Sequence, residues 1–367
     1  SYEKVAAAVT DIFTQRSPQA MTLSELLQVL EKTLSYVPSS TNTAEAADIS
    51  LYDHQKLTAA FAVCLWHVFQ ERGITDYKSY CYGKHQKALR SAPVYRLASG
   101  DISGIQKFIY TIPSKGALKS LRGRSLYLDI LLEHIVDEIL EACHVSRSCL
   151  LYTGGGHFYL LLPNTTHTQA VLQKADSLIN DWFLQHYGTK LYIALASEPC
   201  SADDFSVRGG GAGKVFQKVS QALGQKKLCR YDEQQLTALF DAQSRYNKDT
   251  DGSRECAICH TASPAADLQP YGEDTGDGAE EACASCNALF RLGKSSLTAS
   301  MFVISPSAGR EGVPLPGLAQ PYYLQAIREK ELAAMDKPKR IYVKNEITLG
   351  QAVSTHLWMG DYITCNE

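Results

Sequence analysis

Long apolar runs are missing from this 367-residue sequence, and none approaches the roughly 20 residues that span a bilayer. The first residues, Ser-Tyr-Glu-Lys, lack the basic-then-apolar layout of a signal peptide. No sign of charge dominates, since 36 Lys and Arg stand against 39 Asp and Glu, which argues against non-specific coating of nucleic acid. We therefore expect a cytoplasmic protein without membrane contact.

The composition is that of an ordinary globular protein, with 45% apolar and 20% charged residues. At roughly 150 residues per domain, the length predicts two or three domains, each with its own core. The 11 cysteines are an odd number, and four of them form two C-x-x-C pairs. This usage favours a reducing compartment and one metal site over a disulfide framework.

The first 80 or so residues are predicted to be helical. Thr22-Leu-Ser-Glu25 matches a capping box ahead of an apolar-periodic stretch that runs to Leu34. A second helix is predicted from about Asp53 to Glu71. Asp53-His54 could belong to a His/Asp metal centre, but no further His at suitable spacing precedes it, so helix capping by Asp53 is the favoured interpretation.

From Val94 the pattern changes to a mixture of strands and helices. The predicted elements are, in order, a strand at 94–101, helices at 102–110 and 125–143, a hairpin at 148–162, a helix at 166–186 and a strand at 191–196. This order is the split βαβ of ferredoxin-like and polymerase-palm domains, which leaves one sheet face open. We predict an α+β fold, a ferredoxin-like palm domain preceded by helices and followed by a small zinc-binding domain.

Two C-x-x-C pairs, Cys256/Cys259 and Cys283/Cys286, give the strongest single signal. Each pair directs two thiolates at one centre, and four thiolates at about 2.3 Å suit tetrahedral Zn²⁺. Because the protein fills all four positions, such a site would be structural. The alternatives are unmetallated thiol pairs or a redox dithiol, and the latter is disfavoured because the segment lies outside a βαβ unit.

Asp101 ends the first predicted strand, where palm-type nucleotidyl transferases and cyclases place a metal-binding carboxylate. Ser103 and Gly156-His157 stand where further acidic residues would complete a two-metal site. This palm is therefore predicted to be degenerate and not catalytic by itself. Its glycines, Gly154 to Gly156, would still let backbone N–H groups approach a phosphate.

Gly123-Arg124-Ser125 is predicted to open the long helix, whose N-terminus would attract the same anion. A basic face accompanies it. Its members are Lys107, Lys115, Lys119, Arg122 and Arg124. The alternative is that the glycines only close a hairpin and the basic run is a solvated loop.

A further glycine-rich stretch, Arg208 to Lys214, imitates a P-loop. Arg208 stands where the first glycine is required, and Val215 replaces the Ser or Thr that would touch magnesium. We interpret the stretch as a flexible linker. A basic helix from Lys214 to Arg230 is predicted after it.

Five separated motifs resemble the large signature subunit of type III-A (Csm-type) CRISPR effector complexes. They are Asp48-Ile-Ser-Leu-Tyr-Asp-His-Gln-Lys56, Gly100-Asp-Ile-Ser-Gly-Ile-Gln-Lys-Phe-Ile-Tyr110, Leu121-Arg-Gly-Arg-Ser-Leu126, Tyr152-Thr-Gly-Gly-Gly-His157 and the C-x-x-C pairs. The resemblance runs from about residue 35 to the end of the sequence.

The resemblance implies an HD nuclease domain that cuts single-stranded DNA, two palms, a zinc-bearing linker domain between them and a helical C-terminal domain. In the family, a Gly-Gly-Asp-Asp hairpin in the second palm makes cyclic oligoadenylates from ATP. This sequence contains neither an HD dipeptide nor that hairpin. We therefore expect a fragment that is inactive alone, with the tail of the HD region at 1–80, the first palm at 81–230 and the zinc-binding linker domain at 231–367.

By the same resemblance, the first palm would hold ATP, with His157 contacting base or ribose. The predicted nucleotide-binding residues are Asp101, Ser103, Gly104, Arg124, Gly154, Gly155, Gly156 and His157. The implied cofactors are structural Zn²⁺ and, in the complete protein, ATP with Mg²⁺ or Mn²⁺. The implied partners are other protein subunits, guide RNA and target RNA. The alternative is a purely structural module that binds RNA and subunits through the basic runs at 214–230 and 328–344 and has no nucleotide site.

Overall fold

A computed structural model describes residues 2–42, 44, 46, 48–112, 116–206, 211–244, 253–272, 280–307, 312–335, 338–345 and 355–357. The α-helices in these ranges are α1 Tyr2–Gln15, α2 Leu23–Leu34, α3 Leu51–Glu71, α4 Tyr77–Cys81, α5 Gln86–Ser91, α6 Ile105–Ile109, α7 Ala117–Ala142, α8 Thr166–Tyr187, α9 Gly213–Leu228, α10 Glu233–Phe240 and α11 Ala284–Ser295. None of them has the length and apolar content needed to cross a bilayer.

The strands form two larger sheets and two small ribbons. They are β1 Tyr95–Ser103, β2 Leu150–Gly154, β3 His157–Pro163, β4 Tyr192–Cys200, β5 Ser253–Glu255, β6 Ala262–Pro264, β7 Gln269–Pro270, β8 Glu281–Ala282, β9 Met301–Ser305, β10 Val313–Leu315, β11 Tyr322–Ile327, β12 Arg340–Lys344 and β13 Thr355–Leu357. Helices and mainly antiparallel sheets in one chain confirm the predicted α+β class.

The first sheet has the strand order β2-β3-β1-β4, and each neighbouring pair is antiparallel. Along the chain, α7 separates β1 from β2 and α8 separates β3 from β4, which is the predicted β-α-β-β-α-β order. β2 and β3 are joined by Gly155 and Gly156, whose φ angles are +61° and +84°. A two-residue hairpin turn of this hand requires positive φ at both positions, which glycine adopts without strain.

The prediction of an open sheet face is wrong. Tyr95 and Asp101 of β1 and Tyr159 of β3 share one face by strand alternation and register. The ring of Phe61 in α3 lies 5.0 Å from that of Tyr95, and the ring of Phe216 in α9 lies 4.9 Å from that of Tyr159. Helices α3 and α9 therefore cover this face, each through an aromatic contact with a strand.

The second sheet has the order β10-β11-β9-β12-β13, with a parallel β12–β13 pair and antiparallel pairs elsewhere. It packs on α7, where the hydroxyl of Tyr127 donates to the carbonyl of Pro314 at 2.8 Å and that of Tyr342 donates to Asp137 at 2.7 Å. The five-stranded form of this sheet was not predicted from the sequence. The domain boundaries at 80/81 and 230/231 stay predictions.

Helix ends show which local predictions hold. Thr22 caps α2 and forms the predicted capping box with Glu25. The N-cap of α3 is Ser50, so Asp53 lies in the first turn, where its backbone N–H donates to the Ser50 hydroxyl. Helix α7 begins at Ala117 and not at Ser125.

Candidate functional site

The four cysteines of the C-x-x-C pairs come together on two tight turns. The first turn closes through a hydrogen bond from the Cys256 amide to the Thr261 carbonyl at 3.0 Å, and the second turn is the start of α11, for which Cys283 is the N-cap. The four Sγ atoms all lie within 4.8 Å of one another. His260, which follows Cys259, is 71% exposed and is not one of the clustered residues.

This geometry fits a metal bound by four thiolates. With metal–sulfur bonds of about 2.3 Å in a tetrahedron, neighbouring sulfurs are about 3.8 Å apart. The Sγ atoms of Cys259 and Cys283 are 3.8 Å apart. The cluster can therefore hold a metal ion without an open coordination position.

Two helix backbones meet beside this cluster. A Cβ added at Gly123 of α7 would lie 1.9 Å from the carbonyl oxygen of Leu289, and one at Gly293 of α11 would lie 1.8 Å from that of Lys119. Only glycine at both positions allows α7 and α11 to cross this closely. The crossing brings Arg124 of α7 to the turn that carries Cys283 and Cys286, where its Nη2 donates to Cys286 Sγ at 3.2 Å.

A second group of predicted residues meets at the end of β1. The Ile102 amide donates to the Gly156 carbonyl at 2.9 Å, which holds the glycine hairpin against β1. Gly104 has a φ of +95° and is the N-cap of α6. A Cβ at Gly156 would lie 2.0 Å from Ile105 Cδ1, so the hairpin turn also packs on the first residue of α6. Asp101, Ser103, Gly104 and residues 154–157 are thus brought to one end of the sheet.

The Asp101 carboxylate is already engaged by two partners. Its Oδ2 lies 3.1 Å from His157 Nδ1 and 2.9 Å from Lys227 Nζ of α9. Partial burial raises the pKa of Asp101, but the hydrogen bonds from His157 and Lys227 prevail and lower it below its ordinary value. On the other side of the ring, His157 Nε2 lies 2.9 Å from the hydroxyl of Ser99. This network orients His157 across the strand from Asp101.

Arg124 does not join this group, and the prediction of a helix N-terminus at Gly123–Ser125 is wrong. Residues 123–125 lie inside α7, and Arg124 is only 3% exposed. Its Nη1 donates to the Phe108 carbonyl at 3.1 Å, while Nη2 contacts the cysteine cluster. Nor do all the cations of the basic face point to the hairpin, since Arg122 donates to the Gly293 carbonyl and Lys119 lies over the ring of Phe290. Lys115 and residues 208–210 of the rejected P-loop lie outside the described residues.

Sequence reasoning missed three residues of these sites. Lys227 lies within the predicted basic helix, and its side chain reaches Asp101. Ser99 precedes the strand end and supports His157. Lys190, at the end of the α8 region, donates to the carbonyl of Cys259 at 2.8 Å. Each contact joins residues far apart in the chain, so no local pattern predicts it. The one available signal is the alternation of side chains along β1, which puts Ser99 on the same sheet face as Asp101.

Together, the fold and the two sites define an α+β protein with a βαββαβ sheet, a glycine hairpin at one sheet end and a cluster of four cysteines that can hold a metal ion. Residues 94–243 match the family model described as Csm1 subunit domain B. The chain is 38% identical to the Cas10/Csm1 single-strand-specific deoxyribonuclease (subtype III-A) of Mycobacterium tuberculosis, over 94% of this chain and 42% of the relative. It is 34% identical to the Streptococcus thermophilus protein of the same description, over 100% of this chain and 45% of that protein.

Solved structures agree in fold. The apo Csm1–Csm4 cassette matches with a TM-score of 0.67 at 22% identity, over 97% of this chain and 40% of that chain. The same type of cassette in complex with AMPPNP matches with a TM-score of 0.66 at 21% identity, over 97% of this chain and 39% of that chain. The chain belongs to the Cas10/Csm1 family of subtype III-A CRISPR systems, which confirms the resemblance drawn from the motifs. It spans about two fifths of the length of the curated relatives it matches.

Proposed function

We propose that this chain carries the first palm of a type III-A CRISPR effector large subunit and that the palm holds one ATP for cyclic oligoadenylate synthesis. Residues 154–157, Ser103 and Gly104 would contact the nucleotide, the phosphates through backbone N–H groups and the base or ribose through His157. The complete protein would supply the second palm, Mg²⁺ or Mn²⁺ and the single-strand nuclease. The chain alone would be inactive, and the cytoplasm stays its predicted location.

The observation that carries this proposal is the turn at Gly155. Gly155 is exposed, has a φ of +61°, and nothing lies within 4 Å of a Cβ added there. The turn is nevertheless fixed, because its neighbour Gly156 packs on Ile105. A rigid turn with accessible backbone N–H groups suits a phosphate. Csm1–Csm4 cassettes of this fold have been solved with AMPPNP, with one ATP and with cA4, which supports the same ligand class here.

The chemistry explains why a second palm is needed. Oligoadenylate synthesis is the attack of an ATP 3'-hydroxyl on the α-phosphate of another ATP, with pyrophosphate leaving. Two metal ions need several carboxylates, and Asp101 is already paired with Lys227 and His157. The palm described here therefore positions a nucleotide, and the metal-bound carboxylates come from elsewhere.

The test is calorimetric titration of ATP, with and without Mg²⁺, into the wild-type chain and into Gly155→Trp and His157→Ala. We expect Gly155→Trp to reduce ATP affinity by at least about tenfold, because the indole would occupy the open space over the turn. Gly73→Trp is the matched control, since Gly73 has a φ of +64° and equally open surroundings. Equal ATP affinity of Gly155→Trp and Gly73→Trp would exclude the hairpin as the nucleotide site.

One observation favours a second candidate function, an RNA- and subunit-binding module without a nucleotide site. Asp101 and His157 already satisfy each other, and α9 covers their sheet face. In that case the lysines of α9 would matter more than the glycines. A salt-sensitive interaction with guide RNA that survives Gly155→Trp, together with no ATP binding by the complete protein, would favour this function.

We further propose that the metal of the four-cysteine site is structural Zn²⁺ and that the partners are other effector subunits. Solved relatives are Csm1–Csm4 assemblies, one of them in the type III-A interference complex. Zinc is preferred because four thiolates in a closed site suit a d¹⁰ ion without geometric demands. Elemental analysis of the purified chain, with one zinc per chain expected, checks the metal.

A further inference from the structure

Arg124 is a buried cation whose environment lacks an obvious counter-charge. Its side chain stacks over the ring of Phe108 at 5.0 Å, and its two Nη groups donate to the Phe108 carbonyl and to Cys286 Sγ. Within the described ranges, no carboxylate forms an ion pair with it. A guanidinium that is 3% exposed and has no anionic partner is strongly disfavoured.

The cysteine cluster supplies the missing charge only when it is metallated. Four neutral thiols carry no charge, whereas four thiolates around a divalent ion carry a net charge of about −2. Arg124 meets this cluster at its interior side, where Cys256 and Cys286 are buried, while Cys259 and Cys283 are half-buried. The guanidinium thus lies on the side of the cluster where solvent cannot screen the negative charge of the metal-bound thiolates.

The same side chain leads to the start of α6. Nη1 of Arg124 holds the Phe108 carbonyl, and the Phe108 amide donates to the Gly104 carbonyl at 2.9 Å. A second connection runs through Lys190, whose Nζ donates to the Cys259 carbonyl and whose own carbonyl oxygen would lie 2.0 Å from a Cβ at Gly104. Both cysteine turns are therefore linked to the turn at Gly104, the first through Lys190 and the second through Arg124.

We propose that Arg124 is the counter-charge of a metal-bound four-thiolate centre and that metal binding thereby fixes the segment Gly104–Phe108. Binding of a metal such as Zn²⁺ would thus order, through Arg124 and Phe108, the end of the sheet that carries the glycine hairpin. This role replaces the phosphate contact that the sequence predicted for Arg124. The inference uses the proposed metal but does not require that the hairpin bind ATP.

The first test measures release of Zn²⁺ to a chelator from the full chain with a chromogenic indicator. We expect Arg124→Met to release zinc at least about tenfold faster than wild type, and Arg124→Lys, which keeps the charge, to lie between them. Arg122→Met is the matched control, because Arg122 lies on the same helix and donates to the backbone carbonyl of Gly293 in α11, whereas Arg124 donates to Cys286. Wild-type release rates in Arg124→Met would overturn the counter-charge role.

The second test needs no variant and remains decisive if Arg124→Met fails to fold. Hydrogen exchange is compared between the zinc-loaded and the chelated wild-type chain. Peptides covering residues 104–112 should exchange at least about tenfold faster without zinc, whereas peptides of α8 should not change. Faster exchange confined to residues 253–295 would overturn the link to Gly104. Neither readout involves nucleotide, so a failure to bind ATP would count against the proposed function only.

Discussion

His134 is a fully buried histidine on α7 whose neighbours define its protonation. Its Nε2 lies 2.6 Å from the Pro316 carbonyl, which can only accept, and its Nδ1 lies 3.1 Å from Nη1 of Arg340, which can only donate. The network therefore assigns a neutral ring with the proton on Nε2. Burial, followed by the charge of Arg340, lowers the pKa of His134 to about 3.

This histidine should make stability fall in mild acid. Because its pKa is about 3 in the folded chain and roughly 6.5 when unfolded, only the unfolded chain takes up the proton between these values. The free energy of unfolding should thus decrease as pH falls from 6.5 toward 3, by up to about 1.4 kcal/mol per pH unit. Gln can make both hydrogen bonds without titrating. Urea unfolding at about pH 7 and about pH 5 should therefore show a smaller decrease for His134→Gln than for wild type.

The control for this effect is His54→Gln, since His54 is exposed on α3. This variant should keep the wild-type dependence on pH. If His134→Gln and His54→Gln lose stability equally between the two pH values, the buried imidazole is not the titrating group.

At the scale of elements, the crossing of α7 and α11 depends on two glycines. Gly→Ala inside a helix usually stabilises by roughly 0.5–1 kcal/mol. At Gly123 and Gly293 the added methyl would overlap backbone atoms of the other helix, so each substitution should instead cost about 1–3 kcal/mol. Gly224→Ala in α9 is the matched control, because nothing lies within 4 Å of a Cβ there, and it should stabilise the chain. Urea unfolding of the three variants decides the point, and a stabilised Gly293→Ala would show that the helices do not cross this closely.

The elements that could be predicted from the sequence are those specified locally. The capping box of Thr22 and Glu25 and the two C-x-x-C pairs lie within a few residues, and the structure contains both. The start of α7 could not be predicted, because Gly123 resembles a helix breaker unless the neighbouring α11 is known. The roles of Arg124 and Lys227 depend on partners more than 100 residues away, which no local pattern indicates.

At the scale of the molecule, the least predictable feature is the second sheet and its attachment. Its strands have only three to six residues, so their pairing depends on long-range contacts. Helix α7 joins this sheet to the first one. Apolar residues from both regions, Leu97 and Phe302 among them, belong to one continuous core cluster. We infer that the described parts of the two sheets unfold together.

Arg340 tests this cooperativity, because it attaches β12 to α7 while it is itself buried. Its guanidinium donates to Glu138 at 2.6 Å and to Glu141 at 2.5 Å. Among the residues that the structure describes, Arg340→Met leaves the buried Glu138 carboxylate with the Leu318 amide as its remaining hydrogen-bond partner. The substitution should cost about 3–5 kcal/mol. Adding Glu138→Gln removes the unpaired charge and should recover part of that loss.

Hydrogen exchange in increasing urea is the measurement for Arg340→Met. Since α7 packs under both sheets, amides of β1 and of β9 should lose protection at the same urea concentration, which is lower than in wild type. The control is Arg254→Met, which removes an exposed ion pair with Glu281 and should shift neither sheet. If β9 opens in Arg340→Met while β1 keeps its wild-type protection, the sheets are separate folding units and α7 belongs energetically to the first one alone.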